Sequence, residues 1–244
     1  MGARSMVREP TRPRLPDSLV PAVSWDEADA LGWAEIELRA GADGEPPDGA
    51  PSGAGVVAPA LDVSRCRLVG VSMIGAVLAR SRWADVVFER CDLSGADLTG
   101  AALTRVELRE CRLNGALLGG ARLRELRISD GFLDGTHLRL AKGERVWIER
   151  SRAVGIDLSG MEATDVVLAG CDLTGADVSQ ARLPGVRLVG STLDGLRGAA
   201  SLRDAVIDAD QVLPLGVSLL AALGITIEDD SADGDPSDRR PPVR

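Results

Sequence analysis

Aromatic residues are nearly absent from this chain. Its 244 residues hold no Tyr, two Phe and four Trp. That scarcity argues against a nucleic-acid platform built on bases stacked over rings. There is a single His, His137, and the four cysteines (Cys66, Cys91, Cys111, Cys171) match no zinc-ligand spacing, so no metal centre is expected. No apolar run reaches the length of a membrane span. The opening Met-Gly-Ala-Arg-Ser-Met carries no signal-peptide pattern and no hydroxyl residue at its sixth place for myristoylation. A soluble, cytoplasmic chain is expected. No Gly-rich phosphate loop and no Ser/His/Asp or Cys/His arrangement stands out, so neither an enzyme nor a cofactor is expected.

What the chain has instead is a beat of five. The stretch Cys91–Gly100 reads CDLSG then ADLTG, and residues 171–180 repeat it as CDLTG ADVSQ. Stepping by five from Leu93 gives Phe88, Trp83, Leu78 and Met73 upstream, and Leu98, Leu103, Leu108, Leu113 and Leu118 downstream. The position two before each centre is small or apolar, as in Val86, Cys91, Ala96 and Ala101. From Leu61 to Ala200 this makes about 28 units in one frame. A period of five fits neither a helix nor a simple strand. It fits a chain that makes a short edge and a corner in each unit.

A longer period of twenty shows that four edges close a coil. Gly75, Gly95, Gly115, Gly135, Gly155, Gly175 and Gly195 form one recurring corner, where positive φ or close backbone approach calls for glycine. Other columns keep their own character, such as Cys91, Cys111, Ser151, Cys171 and Ser191. The thiols read as small apolar fillers. The column Arg65, Asp85, Arg105, Glu125, Arg145, Asp165 alternates in sign and reads as a ladder of exposed pairs.

These residues resemble the pentapeptide-repeat family, in which a small residue, Asp or Asn, Leu and two variable residues recur. The resemblance implies an all-β solenoid, a right-handed quadrilateral β-helix of about seven coils with a C-terminal capping helix. At ~4.8 Å per stacked strand its length is roughly 35 Å. Stability in such a rod is close to a nearest-neighbour sum.

Four regions follow. Residues 1–30 read as an irregular N-terminal arm with Pro10, Pro13, Pro16 and Pro21, in which 25–30 allow one helical turn. Residues 31–200 read as the solenoid, interrupted by the Gly/Pro-rich loop 41–55, which is either a tolerated surface insertion or a partner-binding loop. Quinolone-resistance members of the family carry such loops. Gly143 breaks the Leu column and reads as a bulge or bent coil, and Phe132 and Trp147 fall on outward positions, open to a partner or covered by the arm. Residues 201–227 read as a cap, with Asp208 or Asp210 as N-cap and Leu215, Leu219, Leu220 and Leu223 on a helix ending at Gly224. Capping alone and capping with homodimerisation both stay open. Residues 228–244 read as a disordered acidic tail.

Two functions are compatible with this fold. One is a non-catalytic protein-interaction scaffold of unknown partner. The other follows from the resemblance, whose best-known members mimic DNA, bind DNA gyrase or topoisomerase IV and give resistance to topoisomerase poisons. Asp97, Asp157 and Asp177, in one column with Leu117 and His137, and the loop acids Asp43, Glu45 and Asp48 are the candidate contacts. Against mimicry, residues 61–200 hold 18 acids and 19 bases, so the net charge of −9 lies in the two ends. Neither reading involves direct nucleic-acid or membrane binding.

Overall fold

The computed structural model describes residues 7–22, 33–39 and 54–225. The sequence-expected helical turn at 25–30, nearly all of the loop at 41–55 and the tail at 228–244 lie outside them. The described chain winds as a parallel β-solenoid. Strands β1 (Val20–Ala22), β2 (Ile36–Arg39), β4 (Arg67–Val69), β5 (Arg82–Glu89), β6 (Ala102–Arg109), β7 (Arg122–Ser129), β8 (Lys142–Glu149) and β9 (Glu162–Ala169) stack in that order. A further strand, β3 (Asp62–Ser64), pairs with β5. Every pairing is parallel, and from β5 onward the register steps by twenty residues, as in Trp83↔Leu103↔Leu123↔Gly143↔Ala163. The stacking reaches back to β1, whose Val20 pairs with Ile36, ahead of the expected start near residue 31.

Each coil has four edges. Strands such as β5 cover two of them through the corner at Asp85. The other two are single bridges separated by tight turns. One runs Ser72, Asp92, Arg112, Phe132, Arg152, Asp172, Thr192, and the other runs Val57, Val77, Asp97, Leu117, His137, Asp157, Asp177, Arg197. Backbone hydrogen bonds tie coil to coil on the turn edges as well. Asp92 N–H donates back to Val71 O at 3.0 Å, and Leu93 N–H donates forward to Arg112 O at 2.7 Å. Neighbouring residues thus bond to opposite coils, and their side chains alternate in and out.

The inward columns are the expected ones. Leu68, Phe88, Leu108, Ile128, Ile148, Leu168 and Leu188 are all buried. Every fifth residue from Gly55 to Gly195 has φ between 46 and 73°. The sequence marks this need only where glycine occupies the corner. The structure imposes it equally on Arg65, Asp85, Arg105, Glu125 and Leu140. A non-glycine residue at positive φ is strained, and the hydrogen-bonded coils above and below hold it there.

Gly143 makes no bulge. It pairs in register with Leu123 and Ala163. A Cβ there would lie 2.8 Å from Val146 Cγ2 and 3.1 Å from Ala163 Cβ, so the missing side chain answers a close approach inside an unbroken strand. The thiols pack as expected. All four cysteines are free and buried. Cys91 and Cys171 each donate to a carbonyl of the preceding coil, Leu68 O and Ile148 O, both at 3.3 Å. Ser191 in the same column donates to Leu168 O at 2.8 Å. Burial pushes the Cys171 thiol up to about 11.

The last coil ends in a 3-10 turn (Ala209–Gln211) that runs into α1 (Val212–Ala222). Asp208 is the N-cap of that turn, with Gln211 completing a capping box. Gln211 Nε2 also donates to Leu188 O and Ser191 O at 2.6 and 2.5 Å, which pins the cap to the coil. Leu215 and Leu219 pack on the core and Leu220 is half-buried. Leu223, expected on the same stripe, is 68% exposed. Gly224, at φ 70°, closes the helix as expected. Among the described residues no helix is long and apolar enough to cross a membrane.

Candidate interaction surface

The outward column on the last turn edge holds the three candidate acids. The structure brings Asp157 and Asp177 together on adjacent coils and separates Asp97 from them by Leu117 and His137. Each Asp has a local job. Its Oδ1 accepts the N–H two residues on, from Thr99, Ser159 and Ser179, each at 2.9 Å. Asp92 and Asp172 do the same with Ser94 and Thr174 at 2.9 and 3.1 Å. The repeat's Asp is therefore a turn-former that satisfies a corner N–H. Two of the three candidate acids also have a basic neighbour. His137 Nδ1 lies 3.7 Å from Asp157, and Arg197 lies 3.5 Å from Asp177. Burial pushes the Asp157 carboxyl up, but Ser159 and His137 outweigh it and hold the group below its ordinary value. Asp43, Glu45 and Asp48 lie outside the described residues.

The charged corner column behaves differently from its sequence reading. Two of its pairs form: Arg105 grips Asp85 in a bidentate contact at 2.6 and 2.7 Å, and Arg145 meets Glu125 at 2.5 Å, while Arg65 pairs instead with Glu35 at 2.9 Å. The first two are not exposed, for Asp85 and Glu125 are each only 8% accessible. The cover is the N-terminal arm. Arg14 N–H donates to Asp85 Oδ1 at 2.9 Å, Thr11 N–H donates to Glu125 Oε2 at 2.7 Å, and Glu9 pairs with Arg127 at 2.5 Å. The Arg145 contact, against the cost of burial and helped by the Thr11 N–H, lowers Glu125 to about 2. Burial raises Asp85, but Arg105 and the Arg14 N–H outweigh it, so it too lies below its ordinary value.

The two outward aromatics divide. Arg127, held by Glu9 and Glu149, sits with its guanidinium 5.6 Å from the centre of the half-buried Trp147 ring. Phe132 stays 46% exposed between Arg112 and Arg152. Elsewhere opposite charges pair along or beside the columns, as in Asp130–Arg150 and Asp134–Arg152. The surface is a patchwork of both signs. Among the described residues no group of His, Cys, Asp and Glu could hold a metal ion.

A family model described as pentapeptide repeats matches in eight copies over residues 66–105, 101–139 and 151–195. No curated protein matches the chain. Among solved structures, two trypsin-treated variants of QnrB1, a plasmid-mediated fluoroquinolone resistance protein, are similar to it. One is 21% identical over 80% of this chain and 89% of its own, with a TM-score of 0.43. The other is 20% identical over 86% and 99%, with a TM-score of 0.44. HetL from Nostoc, a pentapeptide-repeat protein involved in heterocyst differentiation regulation, is 22% identical over 76% and 85%, with a TM-score of 0.32. The repeat match falls on the coils where the five-residue frame, the positive-φ corners and the twenty-residue register coincide, and the chain belongs to the pentapeptide-repeat family.

Proposed function

We propose that this protein is a non-catalytic interaction scaffold whose partners are proteins. The observation that carries this is the outward column Val57, Val77, Asp97, Leu117, His137, Asp157, Asp177, Arg197. A mimic of a DNA duplex needs an acid wherever a phosphate would lie, and a field of one sign along a face. Here apolar and basic residues interrupt the acids, and the acids serve corner turns. Mixed charge with isolated apolar positions suits recognition of a folded or extended protein. The test is DNA supercoiling by gyrase, with and without a quinolone, as the protein is titrated in. No effect supports the scaffold. Inhibition or protection at micromolar levels overturns it in favour of a topoisomerase modulator.

The scaffold is proposed to work as a homodimer joined at α1. This helix turns apolar side chains to solvent as well as to the core: Leu213 is 77% exposed, Val212 60% and Val217 50%, and Leu223 just beyond its end 68%. A helix apolar all round is ordinarily buried. Light scattering should give twice the chain mass, and Leu213→Asp with Val217→Asp should return it to one.

A further inference from the structure

The N-terminal arm lies on the rod with a period of three. Ahead of the bend at Asp17–Ser18 and strand β1, Val7, Pro10, Pro13 and Pro16 are partly or fully buried, while the residues between them are exposed apart from Leu15. Three residues per turn is the period of polyproline II, which advances ~9.3 Å per turn at ~3.1 Å per residue. Stacked coils lie ~4.8 Å apart, so two coils span ~9.6 Å. The corner column carries its acids on alternate coils, at Asp85, Glu125 and Asp165. One turn of the arm therefore matches one step from acid to acid.

The hydrogen bonds follow this match. Arg14, the residue after Pro13, gives its N–H to Asp85, and Thr11, the residue after Pro10, gives its N–H to Glu125. The same step places Arg8 opposite Asp165, and Val7 and Asp165 line one cavity of about 670 Å³. These two donors are main-chain groups, so the column reads a backbone shape and the proline spacing, while Glu9 adds a side-chain pair with Arg127 beside it.

We propose that the column Asp85, Glu125, Asp165 is a groove for proline-rich segments with proline at every third residue, and that residues 7–16 are its resident, displaceable occupant. A partner protein's segment of that spacing takes the arm's place. The inference rests on the scaffold reading and names the chemistry of one partner. It concerns a face separate from α1.

The experiment uses the full chain with Pro10→Asp, which puts an unpaired carboxylate beside Glu125 and should free the arm. A fluorescein-labelled peptide of residues 7–19 is titrated in and followed by anisotropy. Expected is saturable binding to Pro10→Asp, about tenfold or more weaker binding to the unaltered chain, and a further loss of about tenfold on adding Glu125→Gln. A control peptide with the prolines moved off the three-residue spacing should not bind. No binding to a folded Pro10→Asp chain, or equal binding of the control, would overturn the proposal and leave the scaffold reading standing. Gyrase inhibition would do the reverse. Association of Pro10→Asp beyond the state of the unaltered chain would make a second copy's arm the occupant and would overturn the assignment to a partner.

A second readout needs no variant. Amide exchange at Thr11 and Arg14 should run at least about 100-fold faster than at Leu108, because the arm opens locally. Exchange at the rate of the rod amides would make the arm a fixed part of the fold and sink the idea.

Discussion

Leu117 and Leu118 are adjacent, identical in chemistry and opposed in orientation, so truncating each in turn measures the in-or-out assignment directly. Leu117 is 39% exposed and Leu118 4%. Leu117 N–H donates back to Ala96 O at 2.9 Å and Leu118 N–H donates forward to His137 O at 2.7 Å. Leu→Ala removes three carbons, worth about 2.4 kcal/mol of transfer free energy when fully buried. At Leu118 a cavity cost adds to this. The coils above and below are held by backbone hydrogen bonds and cannot collapse into the gap, so a total of about 3–4 kcal/mol is expected. At Leu117 roughly 60% of the transfer term applies and water fills the space, giving at most about 1.5 kcal/mol. The assay is urea unfolding followed by far-UV circular dichroism. With a slope of about 3 kcal/mol/M, Leu118→Ala should lower the midpoint by about 1 M and Leu117→Ala by less than about 0.5 M. Equal shifts, or a larger shift for Leu117, would refute the assignment, because a one-residue slip exchanges the two faces.

Other predictions concern the rod's end and its corner column. A Cβ at Gly198 would lie 2.4 Å from both the N and Cα of Ser179, so Gly198→Ala should cost more than about 2 kcal/mol, read as a lower melting point with the α1 signal lost first. Gln211→Ala takes the Nε2 donor from Ser191 O and leaves Leu188 O with the Ser191 N–H alone, and amide exchange should speed up in α1 while strand β6 stays protected, at a cost of about 1–3 kcal/mol. Glu125 sits at about 2 in the folded rod against an ordinary 4.5. A lowered folded value means stability that is present above the ordinary value and lost as pH falls from 4.5 towards 2. Glu125→Gln should flatten the stability profile in that window, and an unchanged slope would count against the Arg145 and Thr11 contacts.

Much of the rod was legible because a repeat writes the same local solution many times. Leu108, Leu118 and Leu138 announce one inward side by spacing alone, and the Gly75-to-Gly195 series announces a corner. The Asp of each turn edge was also visible, but its role was not. Asp97 reads as a candidate contact in sequence and becomes a turn-former once Thr99 N–H is seen to bond it. Gly143 misled for a related reason. A gap in a Leu column suggests a break, whereas the cause is Val146 leaning into the same space. The irregular arm was offered in sequence as a cover for the rod, but its path was not legible although Pro10, Pro13 and Pro16 carried its period, since a period of three has meaning only when something lies beside it.

Sequence by itself determined the solenoid, the frame of its columns and the place of its cap. Each of these depends on contacts at a constant separation of twenty residues, and a constant separation leaves a visible period. Tertiary structure alone decided that Asp85 and Glu125 are covered, that residues 7–16 run along the corner column, and that Leu223 turns away from the core. The arm's bonds join residues 71 and 114 positions apart. No repeat relates those pairs, and the carboxylates meet the arm only after the coils have stacked.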